Sequence, residues 1–125
     1  MEGATLTCSD VPDLGHLPPP VKPVLFHPAA RAEIQEVPKS IRWVLGRSLW
    51  ALQLGHSLGL PHSRPMPIVA LGVEELRVKD ESGQYRAFVI RKTPRGILVL
   101  HVFMKKSRET PHAAIVLARK RLKEM

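Results

Sequence analysis

VEELRVKDESGQYRAFVIRKTPRGILVLHVFMKK, residues 73–106, is the stretch that decides how this chain folds. From Val73 the apolar residues Leu76 and Val78 alternate with Glu75, Arg77 and Lys79. A period of two is the mark of a strand with one face turned inward. Asp80-Glu81-Ser82-Gly83 supplies turn residues, Tyr85 to Lys92 forms a return strand, and Thr93-Pro94-Arg95-Gly96 turns the chain again. Ile97 to Lys106 is the most apolar run and is expected to be the central strand. Short turns between successive strands predict an antiparallel meander.

Outward from the meander the period changes. Lys39 to Leu54 places Ile41, Val44, Leu45, Ser48, Leu49 and Leu52 within one arc at 100° per residue, and Gly55 follows as a stop. Trp43, Trp50 and Leu54 fall on the opposite arc. One layer of sheet cannot cover both stripes, so the second needs either the preceding helix or a partner protein. That preceding helix is expected over Pro28 to Val37, after a short strand from Val21 to Phe26 whose Pro23 suits a sheet edge. His56 to Gly72 holds three prolines and two glycines without helical period, and reads as a loop. Thr110-Pro111 reads as an N-cap with Pro at N1, opening a last helix to Met125. The expected order is β-α-α-β-β-β-α, an α+β domain over residues 21–125. Residues 1–20 hold few core-forming residues and end in Pro18-Pro19-Pro20, so a disordered extension is expected there.

A chain of 125 residues buries one core and leaves no room for a second domain. A single cysteine, Cys8, rules out an internal disulfide and any cysteine-based metal site. The longest apolar stretch, Ile97 to Met104, is too short to span a membrane, and the N-terminus lacks a signal-peptide pattern. A soluble, cytoplasmic protein is expected. No phosphate-loop or H-E-x-x-H motif occurs, and His56 and His62 have no evident third ligand, so neither metal nor cofactor is expected.

Charge is the informative quantity. Residues 76–125 carry 13 Lys/Arg against 4 Asp/Glu, a surplus of nine, whereas residues 1–75 carry 6 against 7. The net +8 therefore lies wholly in the C-terminal portion. Arg77, Arg86, Lys105 and Lys106 come from three successive strands and form a basic sheet surface suited to phosphate-rich partners. RNA cleavage by internal attack needs deprotonation of the 2′-OH, stabilisation of a phosphorane and protonation of the 5′-oxygen. Arginine suits the second task by its fixed charge and forked geometry. A lysine crowded by cations has a lowered pKa and becomes a usable proton carrier. The opposing reading is that these cations are solvated strand edges or pair with acids elsewhere. His101 is expected in the core. Phe103 is a candidate for base stacking.

Four segments carry a family resemblance: Gly46-x-x-Leu49-x-x-x-Gln53-x-Gly55; Arg64-Pro65-Met66 leading to Leu71-Gly72-Val73-Glu74-Glu75-Leu76-Arg77; Asp80-x-x-Gly83-x-Tyr85-Arg86; and Val99-Leu100-His101-x-Phe103-x-Lys105-Lys106-Ser107-x-x-Thr110-Pro111, followed by Ala118-Arg119-x-Arg121-Leu122. From Pro23 to Met125 the chain resembles the phage-derived HigB-like toxins of the RelE/ParE superfamily, which belong to type II toxin–antitoxin modules. The resemblance implies a twisted antiparallel sheet with two helices on one side. It implies metal-independent endoribonuclease activity on mRNA at the ribosome, and inhibition by a cognate antitoxin protein. Arg77, Arg86, Lys105 and Lys106 take the catalytic positions. Lys79, Phe103, Arg108 and His112 are expected to contact RNA, and Trp43, Trp50 and Leu54 to meet the antitoxin. Met104 stands where family members often carry glutamine, and no acceptor tyrosine opens the last helix, although His112 is close to that place. Two alternatives remain open, a ParE-like inhibitor of DNA gyrase and a non-catalytic RNA-binding relative.

Overall fold

The alternation that begins at Val73 becomes three long strands, and their side chains divide between two faces. In a computed structural model that describes residues 21–106 and 110–125, these strands are β3 (Val73–Asp80), β4 (Gly83–Thr93) and β5 (Gly96–Lys105). They follow β1 (Val24–Phe26), helices α1 (Pro28–Glu36) and α2 (Lys39–Gln53), and β2 (Ser63–Pro65); α3 (His112–Lys123) closes the order. The expected extension over residues 1–20, Cys8 within it, and Arg108 lie outside the described residues.

The sheet order is β1-β5-β4-β3-β2. The meander is antiparallel as expected, but β1 joins β5 in parallel through Val24, Leu25 and Phe26, so the sheet is mixed. The element order is likewise β-α-α-β-β-β-β-α rather than the expected one. The additional strand, β2, is three residues inside the segment read as loop, too short to show alternation. Its pairing with Leu76, Glu75 and Glu74 defines it. The central strand is β4 and not β5, because β5 has only the short β1 on its outer side. Six consecutive buried residues, Tyr85 to Ile90, mark β4 as covered on both faces.

One face carries Leu76, Val78, Tyr85, Ala87, Val89, Ile97, Val99 and Val102, which pack with Ala30 and Val37 and with Ile41, Leu45, Leu49 and Leu52 of α2. The other carries Val73, Phe88, Ile90, Leu98 and Leu100, which pack with Ala114, Ile115 and Ala118 of α3 and with Met66 and Val69. An irregularity in the pairing of Phe88 and Val89 with β5 shifts its side-chain parity between Leu100 and Val102. Gly96 allows the tight β4–β5 turn to meet β1. Its φ is +113°, and a Cβ there would lie 2.4 Å from the Pro23 carbonyl oxygen.

One local expectation is corrected, and one of two open alternatives is decided. Thr110 does not cap α3, whose N-cap is Pro111 without a side-chain bond; the Thr110 hydroxyl instead donates to Glu75 Oε2 at 2.9 Å. Nor does α1 cover the second stripe of α2, since Trp43, Trp50 and Leu54 are 62, 51 and 48% exposed. No helix among the described residues is long and apolar enough to cross a membrane.

Candidate functional site: a cationic cleft beside the third strand

Strand register assembles the candidate residues into rows. Arg77 of β3 pairs with Arg86 of β4, which pairs with Phe103 of β5. One step along, Lys79 pairs with Gln84 and Gln84 with Lys105. One step the other way, Glu75 lies between Arg64 of β2 and Phe88 of β4, and Phe88 pairs with His101. Because alternate residues share a face, all of these side chains rise from the α3 side of the sheet.

The middle of this lattice is a buried carboxylate. Glu75 is fully buried, and its Oε1 lies 3.4 Å from Arg86 Nε, 3.5 Å from Arg64 Nη2 and 3.9 Å from Arg77 Nε. At these separations the guanidinium groups reach Oε1 as charges rather than as hydrogen-bond donors, and Arg86 Nε and Arg64 Nε have no hydrogen-bond partner among the described residues. The opposing reading, that these cations pair with an acid, holds in part, because Glu75 sits among them. Three arginines against one carboxylate leave a positive surplus, to which Lys79 and Lys105 add.

Arg86 is itself buried, which a phosphate-holding role had not anticipated. Its Nη1 donates to the Tyr85 carbonyl at 3.2 Å and its Nη2 to Gln84 Oε1 at 3.0 Å. Burial lowers its pKa from the ordinary arginine value, the neighbouring Arg77 and Arg64 add to this, and Glu75 opposes it. Lys105 is half-buried; burial first, then Arg86, Arg64 and Arg77, pull its ammonium below the usual lysine value, against the pull of Glu75.

Beside this lattice lies a cleft of about 530 Å³ lined by Arg77, Lys79, Gln84, Arg86, His62, Pro61, Val44 and Val78. It sits where β2 has ended, since β2 pairs only with residues 74–76 of β3. The next backbone N–H, that of Arg77, donates to the His62 carbonyl at 2.8 Å. Val44, placed by its period on the core stripe, is 39% exposed and forms part of the apolar wall.

The remaining candidates are placed differently. Lys105, though in the rows, does not line the cleft; nor do Lys106, exposed just past the end of β5, and His112, exposed at the start of α3. Phe103 is half-buried and stacked on His101, with ring centroids 4.7 Å apart and planes at 21°, and with Phe88 at 5.3 Å. His101 is buried, as expected, within an ionic cluster. Its Nδ1 lies 2.9 Å from Glu33 Oε1, which also accepts from the Val102 N–H at 3.0 Å and from Arg121 Nη1 at 2.7 Å. Glu33 thereby binds the free edge of β5 beyond β1. Among the described residues no three His, Cys, Asp or Glu side chains come together as metal ligands.

Arg64, Gln84, Glu75 and His62 join the site only through the strand pairing. For Glu75 a signal was present: it shares the parity of Arg77 and Lys79. Arg64 lies in one of the segments that carry the family resemblance, but neither its place beside Glu75 nor that of His62 is legible, because their neighbourhood arises from strand pairing across residues of loop-like composition.

The model of a protein family described as phage derived protein Gp49-like (DUF891) matches residues 32–123. The chain belongs to the Gp49-like family. That match runs from α1 to the end of α3 and includes every residue of the cleft. The Gp49-like family is associated with toxin–antitoxin modules. No curated protein matches the chain.

Proposed function

We propose that this Gp49-like protein is the toxin of a type II toxin–antitoxin module, of the HigB kind, and that it cleaves mRNA at the ribosome without a metal. The observation that carries this reading is the coincidence of three arginines and two lysines on one sheet face beside an open cleft. Arg77 and Lys79 are accessible there and hold the scissile phosphate. Arg86 acts from beneath, as a fixed buried charge that favours the phosphorane and orients Gln84 by its hydrogen bond. Glu75 holds the three arginines together and, being buried, does not meet substrate.

Lys105 moves the proton. Its lowered pKa increases the neutral fraction able to accept the 2′-OH proton as that oxygen attacks phosphorus. The Lys105 ammonium so formed returns that proton to the departing 5′-oxygen, giving a 2′,3′-cyclic phosphate and a 5′-hydroxyl end. Lys106, outside the rows, contributes field rather than chemistry.

Purified protein added to a translating extract, followed by primer extension on the mRNA, tests the proposal. Cuts at codons in the ribosomal A site, persisting in a chelator that spares ribosomal magnesium, are expected. Intact mRNA with DNA breaks in gyrase assays would instead support the gyrase reading, and intact mRNA with retained RNA binding the non-catalytic one.

A further inference from the structure

Trp43, Arg47, Trp50 and Leu54 follow one another at spacings of four, three and four residues, which places them on one helical face within an arc of about 60°. They extend over about 16 Å of α2, three helical turns. The opposite face buries Ile41, Leu45, Leu49 and Leu52 against the sheet, so this face is not needed for the core. Two half-exposed tryptophans and a leucine form an apolar strip of the kind that marks an interaction surface. The spacing is that of anchors in helix-in-groove recognition.

Charge selects the occupant. Helix α2 carries Lys39, Arg42 and Arg47 and no Asp or Glu. A second copy related by a two-fold axis would bring like charges together across the strip, which disfavours self-association. RNA would need cations at phosphate spacing, but Arg42 is directed to the carbonyls of Gln35 and Val37 at the end of α1. Arg47 remains, its guanidinium 4.9 Å above the Trp43 ring, fixed by the aromatic face and exposed to an incoming carboxylate. We propose that this face docks an amphipathic helix of a partner protein whose apolar stripe is flanked by Asp and Glu. Under the toxin reading, on which only the naming of the partner rests, that partner is the antitoxin.

Selection of displayed amphipathic helices of varied flanking charge, with the full-length chain as target, tests this. Acidic helices are expected to be enriched, and their affinity is expected to fall at least about tenfold on Trp50→Ala and again on Arg47→Glu. Both side chains are exposed, so the unfolding midpoint of each variant should match the parent. Arg77→Ala and Lys79→Ala should keep the binding. A failed mRNA-cleavage assay would thus leave this result standing, and the reverse. No enrichment, enrichment of basic helices, or equal binding to Trp50→Ala would overturn the proposal. So would a dimer in sedimentation equilibrium lost on Trp50→Ala, or quenching of tryptophan fluorescence by an oligouridine that Trp50→Ala abolishes.

Discussion

Glu75 Oε1 and Arg86 Nε lie 3.4 Å apart with both side chains buried, so the catalytic candidate in the middle of the sheet is also part of the fold's internal charge balance. Removing one member of such a pair strands the other charge away from water.

Glu75→Ala is therefore expected to destabilise the protein by about 3–5 kcal/mol, read as a lowered urea midpoint. The arginines Arg64, Arg77 and Arg86 would then repel one another without a counter-charge. A variant as stable as the parent would show that the cluster is solvated in solution.

Arg77→Ala is the cleaner test of chemistry. Arg77 is the more exposed of the register pair, with 29% of its side chain accessible against 4% for Arg86. Loss of mRNA cleavage of about a hundredfold or more is expected with an unchanged unfolding midpoint. Arg86→Ala should lower both activity and stability, so activity loss in that variant alone assigns nothing.

Lys105→Ala should reduce cleavage much more than Lys106→Ala, because only Lys105 lies in a register row with Lys79 and Gln84. The pH–rate profile of the parent should show a base titrating below the ordinary lysine value, and Lys105→Ala should remove it. Equal effects of the two substitutions would indicate a diffuse electrostatic role.

Glu33 gives a pH prediction for stability. Burial opposes its ionisation, but hydrogen bonds from His101, Arg121 and the Val102 N–H outweigh this and hold its pKa at about 2. A depressed folded-state value contributes stability that is fully present above the unfolded value of 4.5 and is lost as pH falls towards 2. The parent should lose stability across that window in urea melts. Glu33→Gln should be less stable at neutral pH and should lose this part of the acid dependence.

The local pattern of residues 73–106 determined the three-strand meander, because a strand with one polar and one apolar face writes its period directly into the sequence. The helices at Pro28, Lys39 and His112 were equally legible, as were the two stripes of α2 and the concentration of positive charge in residues 76–125. Three-residue β2 was not legible, and neither was the parallel placement of β1, since both depend on partners distant in sequence. The same limit applies to the site. Parity put Glu75, Arg77 and Lys79 on one face, but whether Arg86 met solvent or a carboxylate depended on register between strands. The exposure of Trp43 and Trp50 was decided only by where α1 packs. Charge and periodicity are properties of a segment, whereas burial and ion pairing belong to the neighbours that the tertiary structure brings to it.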